Sequence, residues 1–300
     1  MTHIAFPSIG LEFDLNRVAF TVFGKEVYWY GIILASAFIL AALYALKEAK
    51  KFGISQDNLI DQLILALPLS VVGARLYYVI FDWASYKDDP AAIIRIWDGG
   101  LAIYGAVITA VVSVFIFCRV KKLNPLDMLD LGSMGLLIGQ AVGRWGNFIN
   151  AEVYGSKTTL PWGMEVANSG VTVHPLFIYE SLWNILGLLL ISTRAGKRWF
   201  RGEMFLMYIA WYGIGRGFLE GLRQDQFILM IGRFPVSQLL AILSLFAALV
   251  LLAMGYRRVM KQGEPEGIND VLVEPAKKDG AEKEPEPEEP AEPEKHTEEN

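Results

Sequence analysis

The stretch GRWGNFINAEVYG, residues 143–155, ends an apolar run that begins near Met128. The run is hydrophobic enough to enter a lipid bilayer, yet its end carries four polar side chains: Arg144, Asn147, Asn150 and Glu152. Each of these groups is costly to move away from water, so their presence together needs a compensating interaction. The stretch therefore predicts a membrane helix with a functional site at one end.

The composition of the 300-residue chain is typical of a membrane protein, because 53% of its residues are hydrophobic. The net charge of −5 comes from the C-terminal end, where residues 262–300 hold fourteen of the 32 acidic side chains. Such a proline-rich acidic segment cannot bury enough apolar surface to fold. We expect residues 259–300 to form a disordered acidic tail. The single cysteine, Cys118, excludes an internal disulfide and a cysteine-based metal cluster.

Seven segments are long and apolar enough to cross the hydrocarbon layer of a bilayer, which takes about 20 residues. In chain order they are residues 28–46, 59–81, 100–118, 126–148, 176–193, 203–221 and 235–256. The second, fourth and sixth segments are less purely apolar than the others, since each contains at least one arginine. The pattern predicts an all-α integral membrane protein with seven transmembrane helices.

Basic residues predict the orientation of these helices. Clusters of lysine and arginine follow the first, third, fifth and seventh segments and together hold 13 of the 27 basic residues. The clusters contain Lys47, Lys50, Lys51, Arg119, Lys121, Lys122, Arg194, Lys197, Arg198, Arg201, Arg257, Arg258 and Lys261. The positive-inside rule makes their side cytoplasmic. We therefore expect an extracytoplasmic N-terminal segment at residues 1–27, a seven-helix catalytic domain at 28–258, and a C-terminal tail in the cytoplasm.

Three arginines are expected to converge in the outer half of the bilayer. Arg75 lies about 16 residues into an outward-running helix, which at ~1.5 Å per residue is ~24 Å from the inner surface. Arg144 and Arg216 lie at similar or greater depth in the fourth and sixth helices. Each arginine follows a glycine or alanine, and small residues let helices approach closely.

The sixth helix also carries a polar stripe. In WYGIGRGFLEGLR, the residues Tyr212, Arg216, Glu220 and Arg223 lie within about 80° of one helix face. A ridge of glycines runs beside the stripe, and the fourth helix carries a similar ridge. The ridges consist of Gly213, Gly217 and Gly221, and of Gly135, Gly139 and Gly143. We infer that these two helices pack together, with their charged residues facing a shared cavity.

The predicted cavity contains more cations than anions. Four arginines stand against Glu152 and Glu220, and uncompensated charge within a membrane indicates a functional site. The arginine fork binds phosphate oxygens in pairs, which favours a phospholipid headgroup as the ligand. The structural alternative is an ion pair between Arg216 and Glu220, with the remaining arginines reaching towards the headgroups.

The sequence resembles the bacterial prolipoprotein diacylglyceryl transferase family over about residues 20–256. The signature block of that family resembles residues 143–155, with glycine, arginine, both asparagines and glutamate in register. Other similar blocks are YWYGIIL, GARLYYVIF, WDGGLAIYGAVI, HPLFIYE and YGIGRGFLEGLRQD.

The resemblance implies a multi-pass enzyme of the bacterial plasma membrane whose active site faces the outer leaflet. Such an enzyme moves the diacylglyceryl group of phosphatidylglycerol to the lipobox cysteine of a prolipoprotein signal peptide and releases glycerol phosphate. Its partners are these two substrates and the lipid bilayer, and no nucleic acid, cofactor or metal is expected.

The resemblance also implies roles for individual residues. The catalytic candidates are Arg144, Arg216, Glu220, Glu152 and Tyr104, and the phosphatidylglycerol-binding candidates are Arg144, Asn147, Asn150, Arg216, Arg223, Tyr30, Tyr212, Arg75 and His174. Some members of the family have a histidine where this chain has Tyr104. A phenol is a weaker base than an imidazole at neutral pH, so the acceptor of the thiol proton stays open among Glu152, Tyr104 and His174.

Two other functional classes fit parts of the pattern. A metal-dependent phosphatidyl transferase would need clustered aspartates, for which Asp127 and Asp130 are the nearest candidates. An anion transporter or lipid flippase would be favoured by a repeat of interrupted helices in two related halves. The sequence contains no convincing repeat of this kind.

Overall fold

The computed structural model describes residues 1–223, 230–231 and 234–263. Within these ranges the chain forms seven helices of at least 17 residues: α1 Trp29–Glu48, α2 Gln56–Phe81, α3 Ile103–Lys121, α4 Pro125–Ile149, α5 Leu176–Ser192, α6 Glu203–Glu220 and α7 Val236–Gln262. Each helix coincides with one predicted segment. Among the described residues, α1, α2, α3 and α7 are long and apolar enough to cross a membrane. Most of the predicted acidic tail lies outside the described residues.

The short connections at one end of the bundle contain residues that end one helix and start the next. Gly53 takes a left-handed conformation after α1, and the Ser55 hydroxyl then accepts a hydrogen bond from the Asn58 amide at the start of α2. Between α3 and α4, the Asn124 side chain accepts from the Leu126 amide and Pro125 opens the helix. These are common helix-ending and helix-starting devices. They reverse the chain within a few residues and make consecutive helices antiparallel.

α4 and α6 are in contact, as the sequence predicts, but the glycine ridges do not form that contact. Gly135 and Gly143 of α4 face α1, where a Cβ at either position would lie 3.7 Å from Ala41 or Leu34. Gly213 of α6 instead approaches α7, and a Cβ there would lie 2.8 Å from the Ala241 carbonyl oxygen. Glycine spacing identifies the helix face that permits close packing, but any neighbour with side chains of suitable shape can occupy that face.

α5 and α6 are joined by a reciprocal pair of tryptophans. The rings of Trp183 and Trp211 stack with centroids 4.2 Å apart. The Trp183 indole N–H donates to the Trp211 carbonyl at 3.2 Å, and the Trp211 indole N–H donates to the Trp183 carbonyl at 3.0 Å. Each indole lies against a glycine of the opposite helix, Gly187 or Gly215, where a Cβ would overlap the ring. We call this arrangement the tryptophan clasp.

A buried ion cluster lies at the start of α4. Arg198, which the sequence placed in a basic surface cluster, is 1% exposed and donates to Asp127 at 2.9 Å and to Asp130 at 2.6 Å. Asp130 also accepts the backbone N–H groups of Gly202 and Phe205 at the start of α6, both at 2.8 Å. The two aspartates considered as metal ligands therefore join α4 to the α5–α6 connection.

The chain also contains strands, so the all-α prediction is incomplete. The strands β1 Thr2–Phe6, β2 Leu11–Leu15, β5 Met164–Val166 and β6 Thr172–Val173 form an antiparallel sheet in the order β2-β1-β5-β6. The strands β3 Val18–Val22 and β4 Lys25–Tyr28 form a hairpin that leads directly into α1, and β7 Met230–Ile231 pairs with β8 Phe234–Pro235. Residues 1–27 are thus a folded part of the molecule.

The four-stranded sheet covers the end of α4 because its strands alternate. Ile4 pairs with Phe13 on the apolar face, and His3 pairs with Asp14 on the opposite face. The apolar face packs on Phe148 of α4 and Phe177 of α5, whose rings stack with centroids 4.5 Å apart. The sheet therefore holds the polar end of α4 against the start of α5.

We expect Gly215→Ala to destabilise the protein, since its methyl group would displace the Trp183 ring and open the tryptophan clasp. Overpacking of this kind costs about 1–3 kcal/mol. The matched control is Gly217→Ala, two residues further along α6, where a Cβ would meet nothing within 4 Å. The control should be neutral or gain up to about 1 kcal/mol from helix propensity. Equal thermal unfolding midpoints for the two variants would contradict the clasp.

Candidate functional site

The loop after α4 meets the start of α5 and the end of α6. The Gly155 amide donates to the His174 carbonyl at 2.9 Å, and the Ser156 amide donates to the Leu222 carbonyl at 2.7 Å. A Cβ at Gly155 would lie 2.6 Å from the His174 Cβ and 2.8 Å from the Leu222 oxygen, so no larger residue fits there. Three helix ends are thereby gathered around residues 143–155.

A chain of hydrogen bonds runs through these residues. Arg144 donates to the Asn147 side-chain oxygen at 3.3 Å, and the Asn147 amide donates to Glu152 Oε1 at 3.0 Å. The Asn150 amide donates to the same carboxylate oxygen at 3.2 Å. Asn150 directly follows α4, and its backbone carbonyl accepts a hydrogen bond from Arg17 at 2.8 Å. Both asparagine side chains are thus oriented by Glu152.

The backbone around Glu152 has an unusual conformation. Ala151 and Val153 have φ angles of 51° and 55°, in the left-handed region that glycine normally occupies. For a β-branched residue such as valine this region is sterically costly. The Glu152 amide also donates to the Asn147 carbonyl at 3.0 Å. The turn directs the Glu152 carboxylate back towards the end of α4.

The second partner of Arg144 is Glu180. This glutamate lies in the second turn of α5, is 8% exposed, and forms an ion pair with the Arg144 guanidinium. The sequence interpretation did not assign Glu180 to the site. The available signal was an acidic residue near the start of an otherwise apolar helix, a placement that indicates a specific partner.

The polar stripe of α6 forms a second ion cluster. Arg216 lies 2.9 Å and Arg223 lies 3.6 Å from Glu220, which is 2% exposed. The Ser237 hydroxyl of α7 donates to the other Glu220 oxygen at 2.5 Å. Tyr212, on the same stripe, is partly exposed, with its ring 6.3 Å from that of Tyr208. The Arg216–Glu220 ion pair considered from the sequence is therefore present.

The two ion clusters influence each other electrostatically. Burial, followed by the neighbouring charge of Arg216, lowers the pKa of the Arg223 guanidinium, and Arg144 acts in the same direction. Glu220 and Glu180 oppose this shift in the pKa. Among the described residues, the three guanidiniums are matched by three carboxylates once Glu152 is counted with Glu180 and Glu220, so these groups carry no net charge. What the region offers an anion is unused guanidinium N–H donors rather than an excess of positive charge.

Arg75 lies in a different environment from the other arginines. Its five N–H groups are all used, because it donates to five backbone carbonyls at 2.6–3.2 Å: Ala92, Ile93, Arg95, Gly99 and Gly100. A guanidinium has only five donors. Of the three arginines expected to converge, Arg144 and Arg216 both lie near enough to Arg223 to lower its pKa, whereas Arg75 binds the segment between α2 and α3.

Three further residues named from the sequence have distinct surroundings. The Tyr30 ring of α1 lies directly on Gly146, where a Cβ would be 2.6 Å from the ring. His174 lies beside Gly155, and its Nδ1 is 3.3 Å from the Tyr179 hydroxyl. Tyr104 is 58% exposed on α3, with its ring 6.3 Å from that of Tyr77. Tyr30 and His174 thus adjoin the site, and the contacts of Tyr104 lie between α2 and α3.

A small cavity lies beneath the loop after α4. One part of its wall is polar and the rest is apolar, and it is lined by Asn147, Phe148, Ala151, Glu152, Val153, Tyr154, Met164, Leu176 and Phe177. Asn147, which accepts a hydrogen bond from Arg144, and Glu152 thus border a space that is otherwise apolar.

Comparison with known proteins matches this chain to a single family. The family model described as prolipoprotein diacylglyceryl transferase matches residues 17–254. Similar proteins include the phosphatidylglycerol–prolipoprotein diacylglyceryl transferase of Finegoldia magna, 45% identical over 83% of this chain and 100% of its own length. The proteins of the same name from Listeria welshimeri and Clostridioides difficile are 44% and 41% identical, over 88% and 79% of this chain and 97% and 94% of their own lengths.

We expect Arg75→Lys to lower the stability of the protein, because an ammonium group cannot replace five planar donors. Hydrogen bonds to charged groups contribute about 1.5–3 kcal/mol each, so the expected loss is at least about 2 kcal/mol. Arg119→Lys, at an exposed position of α3, is the control. Thermal unfolding in detergent measures both variants, and an unchanged midpoint for Arg75→Lys would contradict this structural role.

Proposed function

The chain belongs to the prolipoprotein diacylglyceryl transferase family, and from this membership we propose how its residues act on phosphatidylglycerol and a prolipoprotein. The protein is a multi-pass bacterial membrane transferase. It transfers the diacylglyceryl group of phosphatidylglycerol to a prolipoprotein cysteine, the first step of lipoprotein maturation. The observation that carries this function is the match over residues 17–254, which includes all seven helices almost completely.

All seven helices span the bacterial inner membrane in this proposal, with the N-terminus outside and the C-terminal tail in the cytoplasm. The basic clusters at the ends of α1, α3 and α7 and after α5 support this orientation. Arg198 is the exception, because it is buried and paired with Asp127 and Asp130. Residues 1–27 are then extracytoplasmic, residues 28–258 form the catalytic domain, and residues 259–300 are cytoplasmic. In this orientation the ends of α4 and α6, which carry the site, lie near the outer leaflet.

The phosphate of phosphatidylglycerol binds between Arg144 and Arg216. Within the described part of the chain, Arg144 binds Asn147 and Glu180 through two of its five N–H groups, which leaves other donors for a ligand. The Arg216 Nε–H is buried without a hydrogen-bond partner in the described structure. Arg223 adds charge at the edge of the same region. The availability of these donors is the main geometric support for the phosphate position.

The reaction displaces a phosphate ester from a glycerol carbon. The lipobox sulfur forms a bond to that carbon, the carbon–oxygen bond breaks, and its electron pair leaves with glycerol phosphate. Donors fixed before the reaction stabilise the charge that develops on the leaving phosphate. Glu180 and Glu220 hold the two arginines in place, and Tyr30 and Tyr212 border the headgroup.

Glu152 is a positioning residue in this proposal, because its Oε1 already accepts both asparagine amides. The thiol proton passes to His174, which adjoins the loop through Gly155, or to water. A thiol needs only modest activation, since a few per cent is thiolate at neutral pH. Tyr104 remains the less favoured acceptor, because its contacts lie between α2 and α3.

Removal of the Arg144 side chain tests the phosphate position. In Arg144→Ala we expect kcat to fall by about 10²–10³, the effect of losing one preorganised donor group. Arg144→Lys keeps the positive charge but loses the planar pair of donors. Its kcat should therefore lie between that of Arg144→Ala and that of the unaltered protein. Mass spectrometry of a lipobox peptide with phosphatidylglycerol nanodiscs measures the product. Turnover of Arg144→Ala within about threefold of the unaltered rate would exclude phosphate binding by Arg144. The surface control is Arg119→Ala.

Two substitutions of Glu152 separate positioning from proton transfer. Glu152→Gln retains a carbonyl oxygen that can accept the two amide hydrogen bonds, whereas Glu152→Ala removes it. We expect the glutamine variant to keep at least about tenfold more kcat/KM than the alanine variant, with an unaltered pH profile. Equal losses in both variants, together with the disappearance of one limb of the pH profile, would identify Glu152 as the proton acceptor.

A further inference from the structure

The segment between α2 and α3, residues 82–102, is an irregular loop fixed to the bundle from one side. It includes the short 3-10 turns Pro90–Ile94 and Ile96–Asp98. Its two ends continue into α2 and α3, both of which are long and apolar enough to cross a membrane. We call residues 82–102 the α2–α3 loop.

The inner side of the α2–α3 loop is formed by its backbone. Arg75 binds five of its carbonyls, and the buried Tyr86 ring lies 5.0 Å from the guanidinium carbon. The Ala102 amide donates to the Ala74 carbonyl at 3.1 Å. Because these carbonyls turn inward to the arginine, much of the side-chain surface of the loop is directed away from the bundle.

The exposed side of the loop carries several large apolar residues beside a polar stretch at residues 87–89. Trp97 is 75% exposed, Ile94 is 74% exposed and Trp83 is 56% exposed, and Ile96 and Leu101 are also exposed. Single exposed apolar residues are common on protein surfaces, but a group of this size indicates a binding surface. Tryptophan is enriched where a membrane protein meets the headgroup layer, because its ring has an apolar body and one polar N–H.

The chemistry of the surroundings favours lipid as the occupant. The exposed apolar surface continues from the loop onto Phe81 at the end of α2 and Ile103 at the start of α3, which are 74% and 70% exposed. Cationic attraction to anionic lipid is weak here, since Arg95 is paired with Asp89 at 2.7 Å. The contact therefore depends on apolar and aromatic burial.

We propose that the α2–α3 loop lies in the membrane interface, with Trp83, Ile94 and Trp97 inserted among the headgroups and upper acyl chains. Arg75 fixes this arrangement by binding the loop carbonyls. The proposal is independent of the transferase mechanism, because it concerns a surface outside the arginine site.

Site-specific fluorescence tests the insertion. In a Cys118→Ala background, single cysteines at Trp97→Cys and Ile94→Cys carry a small fluorophore, and Asp88→Cys, in the polar exposed part of the same loop, is the matched control. The proteins are reconstituted in zwitterionic nanodiscs, with or without bromine atoms on the upper acyl chains, and aqueous iodide is added separately. We expect bromolipid quenching at positions 94 and 97 to exceed that at 88 by at least about threefold, with the reverse order for iodide.

Three results would overturn the proposal. Iodide quenching at positions 94 and 97 equal to that at 88 would place the loop in water. Protection from both quenchers would indicate a protein partner or a second copy of the chain. Bromolipid quenching that appears only after anionic lipid is added would indicate electrostatic attachment. Agreement between the two labelled positions guards against a local effect of replacing Trp97.

Discussion

The structure depends on one constraint, the cost of placing a guanidinium within a bundle of apolar helices. Such a group must find partners for its N–H donors or remain exposed to a ligand. Arg75 satisfies all five donors with backbone carbonyls, and Arg198 is held by two aspartates. Arg144 and Arg216 are only partly satisfied. Unused donors alone do not separate the two kinds of arginine, since Arg198 also has a buried Nε and Nη2 without a hydrogen-bond partner among the described residues. The difference is access, because the Arg198 side chain is fully buried whereas those of Arg144 and Arg216 are partly exposed.

The rest of the fold keeps the partly satisfied arginines in position. Their carboxylate partners come from neighbouring helix ends, and the loop after α4 is joined to both α5 and α6 through Gly155 and Ser156. The β-sheet presses on Phe148, one residue beyond Asn147. Because binding sites work best on rigid supports, the sheet and the loop contribute to function without contacting the substrate.

Much of this organisation was predictable from the sequence, for definable reasons. Helix positions follow from the length of apolar segments, and the α6 stripe follows from a spacing of four and three residues. Glu180 was missed because its partner is 36 residues away in the chain, and the burial of Arg198 depends on aspartates of another helix. The sheet was missed because its strands are short and because β5 and β6 lie far along the chain from β1 and β2. Long-range pairing of this kind has no local signature. The local pairing of β1 with β2 is the part that an alternating hairpin pattern could have indicated.

The tryptophan clasp has a mechanical consequence for the active region. Sliding α5 along α6 would pull both indoles from their carbonyls at the same time, so neither helix can shift alone. Glu180 precedes Trp183 by about one turn, and Arg216 follows Gly215 directly. Both charged residues therefore belong to the rigid unit that α5 and α6 form. A helix movement that admits a lipid must therefore displace α5 and α6 together. The change in packing then occurs where this pair meets the neighbouring helices.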